Sequence, residues 1–145
     1  MSSQTATSIT TGSCSCDKVK YAFRGQPLAS ALCHCLKCKR GNGSSFSTNI
    51  IVPAVAFELI RGEPAKYTNK GESGKDGSSH FCRDCGSPLY VTSELAAGVV
   101  IVKTGTIDRW DLVETNFKPT TEMFCATKYS WLPSIEGATK LSGAN

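Results

Sequence analysis

Apolar residues along this chain fall in short alternating runs, without the three-and-four spacing that marks a helical face. Val19, Tyr21 and Phe23 share one face of a predicted strand, closed by a turn at Gly25-Gln26-Pro27. Leu28 to Cys35 reads as the next strand, residues 45–52 as another stopped by Pro53, and Phe57 to Ile60 as a short one. Gly62-Glu63-Pro64 then turns the chain into Ala65 to Thr68, a hairpin-like pattern. Asn69 to Ser79 is a polar stretch with three glycines and no apolar anchor, expected to be a mobile loop. Leu89 to Thr92, Gly98 to Lys103 and Glu122 to Tyr129 complete the β-like runs, with Thr106 to Asp108 closing the second of them. No run supports a helix longer than about two turns. The pattern predicts one all-β domain with little helix over residues 12–133, a flexible polar tail over 1–11 and a weakly patterned tail over 134–145.

Composition narrows the class. The chain has 145 residues, 40% hydrophobic and 19% charged, which excludes an intrinsically disordered polymer. No apolar run approaches the roughly 20 residues that span a bilayer. Met1 to Gly12 has neither the basic segment nor the apolar centre of a secretory signal, so a cytoplasmic location is expected. There eight cysteines should be reduced, and their clustering in C-x-C and C-x-x-C pairs suits metal ligation better than a disulfide framework. Seven ionised thiols and two divalent ions would bring the formal charge from +4 to about +1. The basic excess is therefore poor support for a nucleic-acid partner, and nothing in the sequence sets the oligomeric state.

Cysteine spacing carries the chemistry. Cys33, Cys35 and Cys38 lie within six residues. On a strand, residues at i and i+2 face the same way, and Cys38 would curl back over them through a turn holding Lys37, Lys39, Arg40, Gly41 and Gly43. Converging thiolates suit zinc, and three ligands without a fourth describe an open, reactive site. Cys82-x-x-Cys85-Gly86 is a knuckle pattern whose glycine permits the turn. The natural partition joins Cys14, Cys16, Cys82 and Cys85 in a closed structural site and leaves the triplet open. Spacing alone also permits Cys33 or Cys35 to join the knuckle. Cys125, alone in an apolar run, reads as core, with a rival role as fourth ligand to the triplet. His34 points away from its flanking ligands and is expected to pack or hydrogen-bond; His80 stands beside the knuckle. Asp84 and Asp108 are candidate bases that nothing in the sequence brings to the triplet.

Gly12-Ser13-Cys14-Ser15-Cys16, Cys33-His34-Cys35-x-x-Cys38 and Phe81-Cys82-x-x-Cys85-Gly86 together resemble the glutathione-dependent formaldehyde-activating family, which also includes centromere protein V. The resemblance runs from about Gly12 to Pro133, and Phe57-Glu58-Leu59-Ile60-x-Gly62 and Trp131 fit it; Asp17 stands where the family usually has glycine. It implies a β-tent-like fold of two antiparallel sheets. It implies a structural zinc on Cys14, Cys16, Cys82 and Cys85, and a labile second zinc on Cys33, Cys35 and Cys38 beside a glutathione site. The implied reaction is that of a carbon–sulfur lyase, joining formaldehyde and glutathione into S-hydroxymethylglutathione. The chemistry agrees: a coordinated thiol loses its proton, and the thiolate can attack a small aldehyde or leave from its adduct. Lys37, Lys39 and Arg40 are candidate contacts for the carboxylates of such a thiol, or simply a solvated basic turn. The competing readings are a non-catalytic zinc domain that binds protein or nucleic acid, and a zinc- or redox-responsive module.

Overall fold

A computed structural model describes residues 8–70 and 74–145. Among the described residues, eleven strands form two sheets. The smaller has the order β1 (Ile9–Ser13), β2 (Lys20–Arg24), β5 (Phe57–Arg61), all antiparallel. The larger has the order β11 (Thr139–Lys140), β10 (Thr121–Met123), β3 (Ala29–Cys33), β4 (Ser47–Pro53), β9 (Val99–Lys103), β8 (Pro88–Ser93), β7 (Asp76–Phe81), β6 (Ala65–Lys70). Its pairings are antiparallel from β3 to β6, while β10 runs parallel to both β3 and β11. The predicted all-β, two-sheet architecture is therefore present, with a parallel edge added. Helix is confined to short pieces, chiefly α1 (Leu36–Asn42) and α2 (Trp110–Glu114), and among the described residues no helix is long and apolar enough to cross a membrane.

The alternation read from the sequence builds the core. Tyr21 and Phe23 from the smaller sheet, with Val19 just before β2, meet Ile50, Val52, Tyr90, Val100 and Val102 from the larger. Phe57 joins the layers, its ring 5.4 Å from that of Tyr21 and 4.8 Å from that of Tyr90. Offset aromatic pairs of this kind add to the area they bury.

Several expectations are corrected. Residues 9–11, assigned to a tail, belong to β1, which pairs with β2 from Ile9↔Arg24 to Ser13↔Lys20. The hairpin expected around Gly62 does not form: β5 pairs with β2 and β6 with β7, so this turn carries the chain from one sheet to the other. Gly62 has φ +85, and a Cβ there would collide with the Lys18 carbonyl, so the crossing requires glycine. Most of the polar stretch from Asn69 to Ser79 is a β6–β7 hairpin in register from Ala65↔Phe81 to Lys70↔Asp76. Only residues 71–73 of the expected mobile loop lie outside the described residues. The last strand is shorter than Glu122 to Tyr129, because Phe124 takes a left-handed conformation, φ 56, and ends β10 at Met123. The weakly patterned final segment is tied to the body of the domain. Leu141 N–H donates to Glu122 O, Cys125 N–H to Leu141 O and Phe124 N–H to Gly143 O, lacing residues 141–143 onto the segment after β10.

Candidate metal centres and the cavity between helix and sheet

Two cysteine groups form from distant parts of the chain. The sulfurs of Cys14, Cys16, Cys82 and Cys85 all lie within 4.8 Å of one another. Cys14 and Cys16 follow β1, and Cys82 and Cys85 follow β7. Asp17 makes the first turn tight by adopting φ 66, the left-handed conformation glycine takes without strain, and its N–H donates to Cys14 O. Gly86 makes the second, with φ +79 and its N–H on Cys82 O. Backbone amides face the sulfurs: Val19 N–H reaches Cys14 at 3.3 Å, and the N–H groups of Asp84 and Cys85 reach Cys82 at 3.4 Å. Such donors favour thiolate over thiol. Ser87 does the same for Cys85, and is the main reason that thiol is held down to about 5. Four sulfurs of matched reach, with N–H donors behind them, fit a tetrahedral zinc.

The second group is Cys33, Cys35 and Cys38, again within 4.8 Å. It is built from the end of β3 and the start of α1, not from one strand and a turn. Cys35 is the residue before the helix, φ −71 and ψ 157, and its sulfur accepts the Cys38 N–H at 3.3 Å. That cap starts a helix which apolar periodicity does not announce, and lifts Cys38 one turn to face Cys33 and Cys35. Cys33 hands its proton toward Cys38, which pushes the Cys33 thiol up with the help of burial. The same bond is the chief cause holding Cys38 down to about 5, against its own burial, with Ser47 and the Lys103 ammonium adding to it. Three sulfurs able to share negative charge suit a soft divalent ion. The structure brings the sulfurs of Cys33 and Cys35 together with that of Cys38, and groups neither with the knuckle. All eight cysteines are free of disulfides.

Cys125 stands apart from the triplet and groups with His34 and Glu122. That cluster is a clamp. Glu122 is 1% exposed and accepts from His34 Nε2 at 2.9 Å, Lys128 Nζ at 3.2 Å and Ile135 N–H at 2.8 Å. An ammonium on the carboxylate opposes a further cation there. A carboxylate only accepts, so His34 Nε2 donates to it, while Nδ1 is buried without a hydrogen-bond partner. His34 is also fixed through its backbone, N–H to Met123 O and O from Thr127 Oγ1, so the peptide between Cys33 and Cys35 is gripped from behind. Burial pushes the Glu122 carboxyl up, but its three donors outweigh that and hold it down to about 2. A folded value below the ordinary 4.5 gives stability that is complete above that pH and is lost as pH falls through about 2. Glu122→Gln should therefore remove a pH-dependent contribution on the order of 3 kcal/mol, flattening the acid limb of urea-unfolding stability between about pH 4.5 and 2 relative to wild type. Parallel acid limbs would contradict it.

The triplet opens on a cavity of about 550 Å³. Cys35, Lys37, Cys38 and Asn42 form the helix side. Lys103, Val91, Ser79 and Tyr67 form a floor across β9, β8, β7 and β6; the registers Tyr67↔Ser79, Ser79↔Val91 and Val91↔Ile101 place them on one sheet face. Of the three basic residues singled out from sequence, Lys37 lines this cavity. Lys39 turns away, donating to Thr127 O at 2.6 Å and lying 3.7 Å from the Tyr129 ring centroid; Arg40 is outside the lining. Asp108 accepts from Thr11 and Lys20, and Asp84 pairs with Lys18; neither lines the cavity beside the triplet. His80 stacks on Tyr90 at 4.4 Å. Lys103, Ser47 and Glu122 escaped sequence reading. Lys103 left only one faint trace, a charge closing an otherwise apolar strand.

Comparison with known proteins agrees with this architecture. The family described as glutathione-dependent formaldehyde-activating enzyme matches residues 9–127. A crystal structure of a Rhodobacter sphaeroides protein shares the fold, with TM-score 0.56 and 18% identity, over 70% of this chain and 94% of that one. The match begins at the first residue of β1, runs through both cysteine groups and ends at the Thr127 that holds His34. The chain belongs to the glutathione-dependent formaldehyde-activating enzyme family.

Proposed function

We propose that this protein is a zinc-dependent carbon–sulfur lyase or synthase, acting in the reducing cytoplasm on the adduct of glutathione, or a related thiol, with formaldehyde or another small aldehyde. The observation that carries the reading is the division of seven cysteines into a closed tetrad and a triplet that opens on a cavity. Cys14, Cys16, Cys82 and Cys85 would hold one zinc as a structural ion. Cys33, Cys35 and Cys38 would hold a second and leave one position for a substrate sulfur. Zinc held there lowers the pKa of an entering thiol and steadies the charge on its sulfur. The chain's own residues do the rest. The clamp on His34 and the Cys35 cap fix the three ligand sulfurs, and the helix and sheet floor confine the aldehyde against the thiol. Lys37, at the cavity wall, supplies positive charge for a substrate carboxylate. In the forward direction the thiol proton passes to water, sulfur bonds to the carbonyl carbon, and the oxygen takes a proton from water; lysis reverses each step. A cavity beside the triplet supports catalysis over a purely binding module.

Metal analysis with and without glutathione tests this. The expected result is two zinc ions per chain, one held through dialysis against a chelator and the other released more slowly when glutathione is present. One zinc per chain, with no change in metal content or heat on adding the thiol, would sink the proposal.

A further inference from the structure

Lys103 is a half-buried cation at the end of β9 that lines the same cavity as Cys35 and Cys38. No carboxylate pairs with it among the described residues. Burial pushes its ammonium below the ordinary lysine range, and negative charge on Cys38, Cys33 and Cys35 works against that. Its cross-strand partner is Asn49, whose amide oxygen is buried without a donor while its N–H group is committed to Ser47 Oγ at 3.0 Å. Polar groups on this part of the sheet are thus not closed among themselves, unlike most buried polar groups.

The chemistry of the triplet creates a use for that cation. Three thiolates around a divalent ion carry a net charge of −1, and an entering thiolate makes it −2. When the sulfur pair forms the carbon–sulfur bond, the carbonyl π pair moves onto oxygen, so charge leaves sulfur and appears on the oxygen, with one carbon between them. In a half-buried cavity that charge is expensive unless a donor is already in place.

We infer that Lys103 forms an anion subsite beside the open face of the triplet, taking an oxyanion borne one or two atoms from the substrate sulfur. The inference rests on the reading that the triplet holds a metal and accepts a thiol. In turnover the oxyanion is the alkoxide of the new adduct. Lys103 donates a hydrogen bond to it until water supplies the proton that completes the hydroxyl group.

Calorimetry on the zinc-loaded protein separates this subsite from turnover. Mercaptoacetate carries its charge two atoms from sulfur; 2-mercaptoethanol is a neutral thiol of similar size. Wild type should prefer mercaptoacetate, Lys103→Met should lose about tenfold of that preference, and Lys103→Arg should retain it. Zinc content should remain two per chain in both variants. A preference that persists in Lys103→Met means the carboxylate is held by the metal, and overturns the inference. Loss of the second zinc in Lys103→Met also overturns it, since the charge would then serve the ligands and not the substrate. Exchange of formaldehyde with its glutathione adduct, followed by NMR, should slow about a hundredfold in Lys103→Met. If wild type shows the charge preference but no exchange, the anion subsite stands and the proposed reaction fails.

Discussion

Cys82→Ser is expected to yield a chain that does not fold. Cys82 is 1% exposed, belongs to the hydrophobic core and anchors two backbone N–H groups on its sulfur. It also joins the end of β7 to the segment after β1, 3.6 Å from the sulfur of Cys16. Serine would leave those amides facing a poor metal ligand and open the tetrad. Structural zinc contributes apparent free energies on the order of 10 kcal/mol in small domains, comparable with the whole stability of a domain this size. Circular dichroism during a thermal scan should show no cooperative transition, and no zinc should survive dialysis. A Cys82→Ser protein that unfolds cooperatively near the wild-type temperature would remove the tetrad from its structural role.

Cys35→Ser should do the reverse, keeping the fold and ending the reaction. Serine is among the best residues at the position before a helix, so α1 keeps its cap when the Cys35 sulfur is replaced by a hydroxyl. What disappears is the soft ligand. The variant should bind one zinc in place of two, unfold within about 1 kcal/mol of wild type, and lose thiol–aldehyde exchange by at least about 10³-fold. Metal content, the melting curve and NMR exchange read those outcomes separately. If Cys35→Ser unfolds the chain as Cys82→Ser does, the two cysteine groups share one structural function and the open site does not exist. If it retains exchange, the chemistry lies elsewhere.

The cysteine spacings and alternating runs made much of this legible in advance, because both are local. Val19, Tyr21 and Phe23 needed only their own alternation to declare a buried face. β1 was not legible: Ile9-Thr10-Thr11-Gly12-Ser13 has little apolar content, and its strand identity comes from β2 beside it. β7 makes the same point more sharply. Asp76-Gly77-Ser78-Ser79-His80 carries no apolar residue, yet pairing with β6 on one side and β8 on the other fixes it as sheet. Around the triplet, the missing pieces were those supplied from far along the chain. Glu122 reaches His34 across 88 residues, and Lys103 reaches the cysteines by sheet register alone. Neither carries a spacing that could be read.

The two cysteine groups also differ in when they can exist. The triplet is complete within six residues, whereas the tetrad needs Cys14 and Cys85 to meet. During synthesis Cys33, Cys35 and Cys38 emerge together, long before the knuckle that completes the tetrad. Bringing Cys16 to Cys82 also means closing a loop whose entropy grows with its length, while the triplet closes almost none. On the proposed assignment, a nascent chain meets its first metal at the site that later turns over substrate. On the same assignment, folding would be committed only when the second ion joins the two halves. The order of assembly is thus the reverse of the order of permanence, with the first site to form the one that must stay exchangeable.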